Sequence, residues 1–313
     1  MKEPLIILGG PTGTGKTELS LRIAKEIPCE IISADSVQVY RGMDIGSAKI
    51  RPEDKEVIPH HLIDCLDPDE PFDVSRFVEM ASEKIREIRS RDRIPMVVGG
   101  TAFYTQALIK DIDFEEEEHD GYREELYKIA NEKGKKYLHK MLRDVDIISA
   151  GIIHENNIKR VVRALEFYHE NGYPISSHNE FMKEKESPYN YIYFVLTDER
   201  SHIYSLTDKR VDAMIDMGLV EEVKGLINKG YTKDLQSMQA LGYKQIAAYL
   251  NGEYDFEEAV RLIKRDTRHF VKRQLTWYRY ERSIIEINKS EFEYDNDVIL
   301  SFMMDNIREA GII

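Results

Sequence analysis

The chain has 313 residues, 44 Lys and Arg against 57 Asp and Glu, and a formal net charge of −13. Its length is about twice that of a common domain, and 42% hydrophobic with 32% charged residues is the composition of a soluble globular protein, so one large domain or two smaller ones is expected. No run approaches the roughly 20 apolar residues of a membrane span, and the strand pattern at Leu5–Leu8 leaves no room for a signal peptide. Cys29 and Cys65 stand far apart, which implies a reduced, cytoplasmic chain without a zinc knuckle. The acidic total opposes nucleic acid only at long range, because salt screens distant charge and local clusters decide docking. Acid gathers in Asp111–Asp120 (DIDFEEEEHD), and base gathers in Arg261–Arg282.

In chain order, Leu5–Leu8 predicts a buried strand and about Lys16–Ile27 a helix. Between them Gly10-Pro11-Thr12-Gly13-Thr14-Gly15-Lys16-Thr17 matches G-x-x-x-x-G-K-[ST]. Glycines let backbone N–H groups turn toward phosphate oxygens, and the helix N-terminus adds its positive dipole end. Lys16 supplies a point charge, and Thr17 is placed to ligate Mg²⁺. Such a loop identifies a phosphate chain, ATP or another, without fixing a reaction.

Glu30–Ala34 predicts a second strand, His61–Ile63 a third, Phe72–Arg89 a helix, and Pro95–Val98 a strand ending in Gly99-Gly100. This βαβ rhythm implies a parallel sheet flanked by helices. Asp35 follows the second strand and so lies at the same rim as the phosphate loop. A carboxylate there either binds metal or takes a proton, or it caps the next helix, and position alone does not separate these. Gln38 carries the paired donor and acceptor that suit a base edge. Thr101, after the two glycines, reads more simply as a turn hydroxyl.

The rhythm then breaks. Residues 113–191 carry mainly helical periodicity (Tyr122–Asn131, Lys135–Leu142, Asn156–Asn171), and the run Glu115–Glu118 reads as a solvated linker into that stretch. Tyr191–Leu196 returns to a strand pattern. Helices follow at about Ser201–Met217, Val220–Asn228, Gln239–Leu250 and Phe256–Arg279. The expected architecture is α/β, with a P-loop NTPase-like core over 1–112 and 192–313 that includes C-terminal helices, and an inserted all-helical subdomain over 113–191. In the last helix Arg261, Arg265, Arg268 and Lys272 fall on one face, with Arg279 seven residues on, opposite Val260, Ile263, Phe270 and Val271. That stripe, with few interleaved acids, points to phosphate contact. Lys159, Arg160 and Arg163 form a second basic patch. Trp277 and Tyr278 suit base stacking or, more simply, a core. His60-His61 lacks further ligands at suitable spacing and is not read as a metal site.

The ordered words GPTGTGKT, DSVQVYRGMDIGSAK (Asp35–Lys49), PHHLID (Pro59–Asp64) and GGTAFY (Gly99–Tyr104) resemble those of the bacterial tRNA dimethylallyltransferase family. The resemblance continues through Asn157–Glu166, Arg210-Val211-Asp212, Gly218–Val223, Gln239–Gln245 and Thr267–Arg279, and so covers roughly residues 5–280. It implies transfer of a dimethylallyl group from its diphosphate to N6 of the adenosine 3′ of the anticodon. The loop would then hold pyrophosphate rather than ATP, with Mg²⁺ as cofactor. It further implies Asp35 as general base and Lys16, Thr101 and Arg210 near the reacting groups. Asp35, Ser36, Val37, Gln38, Thr101, Arg123, Lys159, Arg160, Val161, Val162 and Arg163 would contact the anticodon stem-loop, with Arg268, Lys272 and Arg273 from the basic helix. A monomer is expected, and no membrane partner. The rival readings are a small-molecule kinase, an isopentenyltransferase of free adenine nucleotides, and a non-catalytic RNA-binding module.

Overall fold

A computed structural model describes residues 2–112, 120–281 and 283–313. The chain divides into two compact units, one of 1–111 with 188–313 and one of 112–187. The run Glu115–Glu118 lies outside the described residues.

The larger unit opens with β1 (Glu3–Gly9), α1 (Lys16–Glu26), β2 (Cys29–Ser33), α2 (Pro52–Val57), β3 (His60–His61), α3 (Val74–Arg89), β4 (Ile94–Val98) and α4 (Ala102–Ile109). The smaller unit holds α5 (Tyr122–Lys133), α6 (Lys135–Val145), α7 (Ile147–Ile152), α8 (Ile158–Asn171) and α9 (Ile175–Glu184). The larger unit resumes with β5 (Tyr189–Thr197), α10 (Arg200–Asp216), α11 (Leu219–Asn228), α12 (Tyr243–Leu250), α13 (Phe256–Tyr280), β6 (Ile285–Asn288) and α14 (Asn296–Glu309). The return to the sheet therefore falls a few residues before the expected 192, because Tyr189 and Asn190 already pair with Glu3 and Pro4.

All six strands are parallel, in the order β3-β2-β4-β1-β5-β6. A parallel sheet covered on both faces needs near-continuous apolar strands, and Leu5–Leu8, Ile31-Ile32 and Ile192–Leu196 supply them. On one face Leu19 and Ile23 of α1 pack with Ile299, Met303 and Ile307 of α14 over Ile6, Leu8 and Phe194. Strand β3 is only two residues long, and His61 there meets the carboxylate of Glu30 at 2.7 Å. The same carboxylate, almost fully buried, accepts from Arg91 at 2.8 Å. The smaller unit has its own core of Leu126, Leu138, Leu142, Val161, Val162 and Leu165. Among the described residues no helix is long and apolar enough to cross a membrane.

Candidate active site

Three adjacent strands, β2, β4 and β1, end at one rim, and each hands over to a loop there. Their register keeps the loops close: Ala34 N–H donates to Val98 O at 2.8 Å, Gly99 N–H to Leu8 O at 3.2 Å and Thr101 N–H to Ala34 O at 3.4 Å. Gly99 has to be glycine, because a Cβ there would lie 2.2 Å from Ala34 O. Gly10 is constrained likewise, with φ +139° and the Leu196 carbonyl 2.5 Å from where its Cβ would be. The phosphate loop, Asp35 and Thr101 are thus brought to one crevice at the carboxyl ends of the strands, the place where open α/β sheets bind ligands.

The loop closes on itself and then on α13. Lys16 Nζ donates to Gly10 O at 2.9 Å and Pro11 O at 2.7 Å, and Thr14 Oγ1 donates to Pro11 O. Gln274 of α13, nearly fully buried, accepts from Thr12 N–H at 3.2 Å and donates to Gly100 O at 2.9 Å. One side chain therefore fastens the phosphate loop to the loop after β4. Helix α1 begins at Gly15 in left-handed conformation with no side-chain cap, so its positive end faces the crevice without a built-in anion. Above Gly13 stands α10: a Cβ on Gly13 would lie 3.3 Å from Thr207 Cγ2. Arg210 is one turn further along the same helix and reaches the same charges.

Two cations, Lys16 and Arg210, share the crevice with the carboxylate of Asp35. Burial pushes the Lys16 ammonium down to about 7, the neighbouring Arg210 pushes in the same direction, and Asp35 opposes both. Burial also lowers Arg210, again with Asp35 opposing. Neither cation makes an ion pair among the described residues. A diphosphate would supply the missing negative charge to both.

Asp35 holds a turn here rather than capping a helix. Its Oδ1 accepts from Val37 N–H at 2.8 Å and from Gln38 N–H at 3.3 Å, which fixes the turn, while its charge acts on Lys16 and Arg210. Thr101 begins α4, yet its hydroxyl does not cap that helix. Gln38 is placed differently from the expectation of a base-reading amide. Its Oε1 accepts from Ser33 Oγ at 3.0 Å, and its Nε2 donates to Ser47 O at 3.3 Å, so it ties the following loop to the end of β2. Glu222, to which the sequence reading gave no role, holds the next part of that loop by accepting from the N–H groups of Asp44, Ile45 and Gly46 and from Tyr243 Oη.

The basic stripe on α13 needs correction. Its buried face is Ala259, Ile263, Val271, Gln274 and Tyr278, with Val260 and Phe270 only half-buried. Arg261 pairs with Glu258 at 2.6 Å, Arg265 with Asp266 at 2.8 Å, and Arg268 with Asp208 of α10 at 2.6 Å. Acids on the same helix and on a neighbouring one match most of the stripe. Lys272 and Arg273 are exposed and carry no ion pair among the described residues. Tyr278 is core, whereas Trp277 is on the surface, edge-on to Phe103 at 5.9 Å.

In the smaller unit Lys159 and Arg160 are exposed at the start of α8, but Val161 and Val162 are 1% and 2% exposed within the unit's core. Their side chains cannot touch a nucleic acid, which corrects that part of the expectation. A contact run read from consecutive residues of a helix must include the face that holds the helix down. Arg123 closes on the buried Glu166 through Nε at 2.6 Å and Nη2 at 2.5 Å, with Arg163 on the same carboxylate at 3.4 Å.

A divalent cation fits the donor chemistry at the loop. Among the described residues no cluster of three or more His, Cys, Asp or Glu is arranged to hold a metal. The chain therefore offers the exposed Thr17 hydroxyl, with the remaining ligands left to phosphate oxygens and water, which is how Mg²⁺ is commonly held beside phosphates.

A parallel sheet with a G-x-x-x-x-G-K-T loop after its central strand, cations over that loop and a carboxylate two strands away defines a P-loop fold with a phosphate site. Comparison with known proteins narrows this. Residues 38–281 match the family described as IPP transferase, and residues 4–61 match that described as isopentenyl transferase. The chain belongs to the IPP transferase family. A curated tRNA dimethylallyltransferase of Lachnoclostridium phytofermentans is 52% identical over 312 residues, 99% of either chain. The solved full-length tRNA isopentenylpyrophosphate transferase of Bacillus halodurans is 40% identical, with a TM-score of 0.74, covering 99% of this chain and 98% of that one. A eukaryotic dimethylallyltransferase described as acting on tRNA, 24% identical, shares the fold with a TM-score of 0.80 over 99% of this chain and 80% of its own.

Proposed function

We propose that this protein transfers a dimethylallyl group from dimethylallyl diphosphate to N6 of the adenosine 3′ of the anticodon in tRNA, releasing pyrophosphate. The observation that carries the reading is the crevice itself, where an anion-deficient phosphate loop and a carboxylate share one rim in a member of the IPP transferase family. The C1–O bond of the allylic diphosphate breaks with its electron pair passing to oxygen, while the N6 lone pair forms the new C–N bond. Lys16, Arg210 and the backbone N–H groups at the start of α1 are set to stabilise the departing charge. Mg²⁺, held by Thr17 and the phosphates, would neutralise further charge on the leaving group. Adenine N6 is a poor nucleophile because its lone pair is delocalised into the ring, so Asp35 takes its proton as the bond forms. The Thr101 hydroxyl orients the nucleotide. Exposed cations, Lys159 and Arg160 of the helical insertion and Lys272 and Arg273 of α13, grip tRNA phosphates. We read the protein as a cytoplasmic monomer.

Incubation with isotope-labelled dimethylallyl diphosphate, separately with tRNA, an anticodon stem-loop, AMP and ATP, tests the reading. Label should pass to N6 of the tRNA and of the stem-loop and only poorly to free nucleotides, which lack the phosphate contacts whose binding energy positions the base. Efficient prenylation of AMP would make the enzyme a free-nucleotide transferase instead.

A further inference from the structure

We propose that Lys289, outside the stretch matched to the family, is a third cation of the diphosphate site; the inference rests on the reading that the loop holds a diphosphate. Strand β6 lies parallel to β5, with Asn288 opposite Thr197, so the chain leaves the sheet at the same carboxyl rim as the phosphate loop. The next residue is Lys289. Its ammonium lies 3.3 Å from where a Cβ on Gly15 would stand, directly over the uncapped start of α1. The family match ends at residue 281, before this lysine, whereas the 52% identical relative matches 99% of the chain, so Lys289 stands in a C-terminal arm that the family match does not cover.

The arm fixes the backbone of Lys289 and leaves its tip uncommitted. Tyr294 N–H donates to Lys289 O at 3.0 Å, Asn288 Oδ1 accepts from Ser290, and Phe292 packs on Phe302. Acids surround the residue in sequence, yet several are occupied elsewhere. Glu291 accepts from Asn288, Asp295 caps α14, and Asp297 pairs with Arg22. Lys289 itself makes no ion pair among the described residues, although it is only partly exposed. An ammonium held against a helix N-terminus meets a positive field, an arrangement that becomes favourable when an anion lies between them.

The charge balance gives it work to do. An ionised diphosphate ester carries more negative charge than Lys16 and Arg210 together offset, and the charge on its bridging oxygen grows as the C–O bond breaks. Lys16 approaches from the side of Gly10 and Pro11, Arg210 from α10 above Gly13, and Lys289 from the side of Gly15. The three cations thus bracket the loop.

Calorimetric titration of the full chain with inorganic pyrophosphate, in the presence of EDTA, tests the assignment on the wild type, Lys16→Ala, Lys289→Ala, Lys289→Gln and Lys289→Arg. Both neutral Lys289 variants should bind about ten-fold more weakly, the size of one charge-assisted contact, and Lys289→Arg should recover most of the loss. In turnover, KM for dimethylallyl diphosphate should rise in parallel while KM for tRNA stays put. If Lys16→Ala weakens binding but the neutral Lys289 variants bind as the wild type does, Lys289 is no part of the site. If Lys289→Arg is as weak as Lys289→Ala, the lysine acts through structure rather than charge, and the assignment fails. If the wild type binds pyrophosphate neither in EDTA nor with Mg²⁺ restored, or Lys16→Ala leaves binding unchanged, the reading of the loop itself fails, and this inference with it.

Discussion

At the carboxyl rim of the sheet, the half-buried Lys16 donates to main-chain carbonyls and the half-buried Arg210 feels the charge of Asp35, and desolvation pushes both toward losing their charge. In the helical unit, Arg123 and Arg163 converge on Glu166, whose side chain is 4% exposed and whose carboxyl they hold below its usual range against the opposing effect of burial. Both regions hold partly buried charge, but only the second supplies its own counter-ion. Burying an unmatched ammonium is costly, so a fold keeps one where a ligand supplies the balance. The paired arginines, by contrast, are explained as parts of the helical unit's architecture. On the proposed function, the presence or absence of a partner separates cations of the phosphate site from those that hold the protein together, and charge counted along the sequence does not.

The sharpest way to break this comparison is at Asp35, the carboxylate that acts on both rim cations. Asp35→Asn keeps the shape and can still accept from Val37 and Gln38 through its carbonyl oxygen, but it cannot take a proton from N6. Turnover should fall by about 10²–10⁴-fold with tRNA affinity little changed. Parallel loss of binding and rate, measured by filter binding and single-turnover kinetics, would assign Asp35 to positioning alone.

The comparison also marks where sequence reasoning succeeds. Five of the strands, with the third expected at His61–Ile63 and found at His60–His61, the phosphate loop and most long helices were legible because each has a clear local cause: a short apolar run, a glycine turn, or a period of 3.6. Helix α4 was missed because AFYTQALI is buried almost all round and has no polar face to set a period. Strand β6 has only four residues, IEIN, and its Ile285/Ile287 alternation is too short to stand out before its pairing with β5 is seen. Helix α14 carries a local signal, Ile299, Met303 and Ile307 at spacing four behind the Asp295 cap. At the site, residue types and their common rim were readable from the sequence. Gln274, Glu222 and Lys289 were not, because each acts on a loop distant in sequence and shows no local pattern. The stripe on α13 misled only partly for that reason: Asp208 lies on another helix, but Glu258 and Asp266, which match Arg261 and Arg265, stand beside them in the sequence.

A smaller effect tests whether Lys16 is kept short of an anion. With its ammonium near 7 in the free protein, Lys16 is charged below pH 7 and increasingly neutral above it. A bound diphosphate favours the charged form and moves the group back toward the ordinary lysine range. Binding above pH 7 must then take up a proton, so affinity should fall by up to about ten-fold per pH unit there and level off below pH 7. Phosphate esters lose their last proton near pH 6, so at pH 8 dimethylallyl diphosphate contributes none of the change. Titrations at pH 8 in buffers of different ionisation enthalpy should report uptake of about one proton, lost in Lys16→Ala. Zero uptake in the wild type would mean that the ammonium is already balanced.

The smallest effect distinguishes matched from unmatched cations on α13, where Arg268 and Lys272 stand one turn apart. Arg268 is closed on Asp208 at 2.6 Å, while Lys272 and its neighbour Arg273 are exposed. If tRNA phosphates are gripped by the unmatched pair, each contact releases condensed counter-ions, and affinity falls with salt in proportion to their number. Replacing Lys272 and Arg273 with Ala should flatten the plot of log affinity against log salt by about 0.7–0.9 per residue, which is about three-fold in affinity per contact between 50 and 200 mM. Arg268→Ala should leave the slope where it was, because that guanidinium has no free charge to give without abandoning a carboxylate. The same contrast in the helical unit sets Lys159 and Arg160 against Arg123. A slope that drops equally for Arg268→Ala and Lys272→Ala would mean that tRNA competes successfully with Asp208, and that pairing in the free protein does not decide which cations read the backbone.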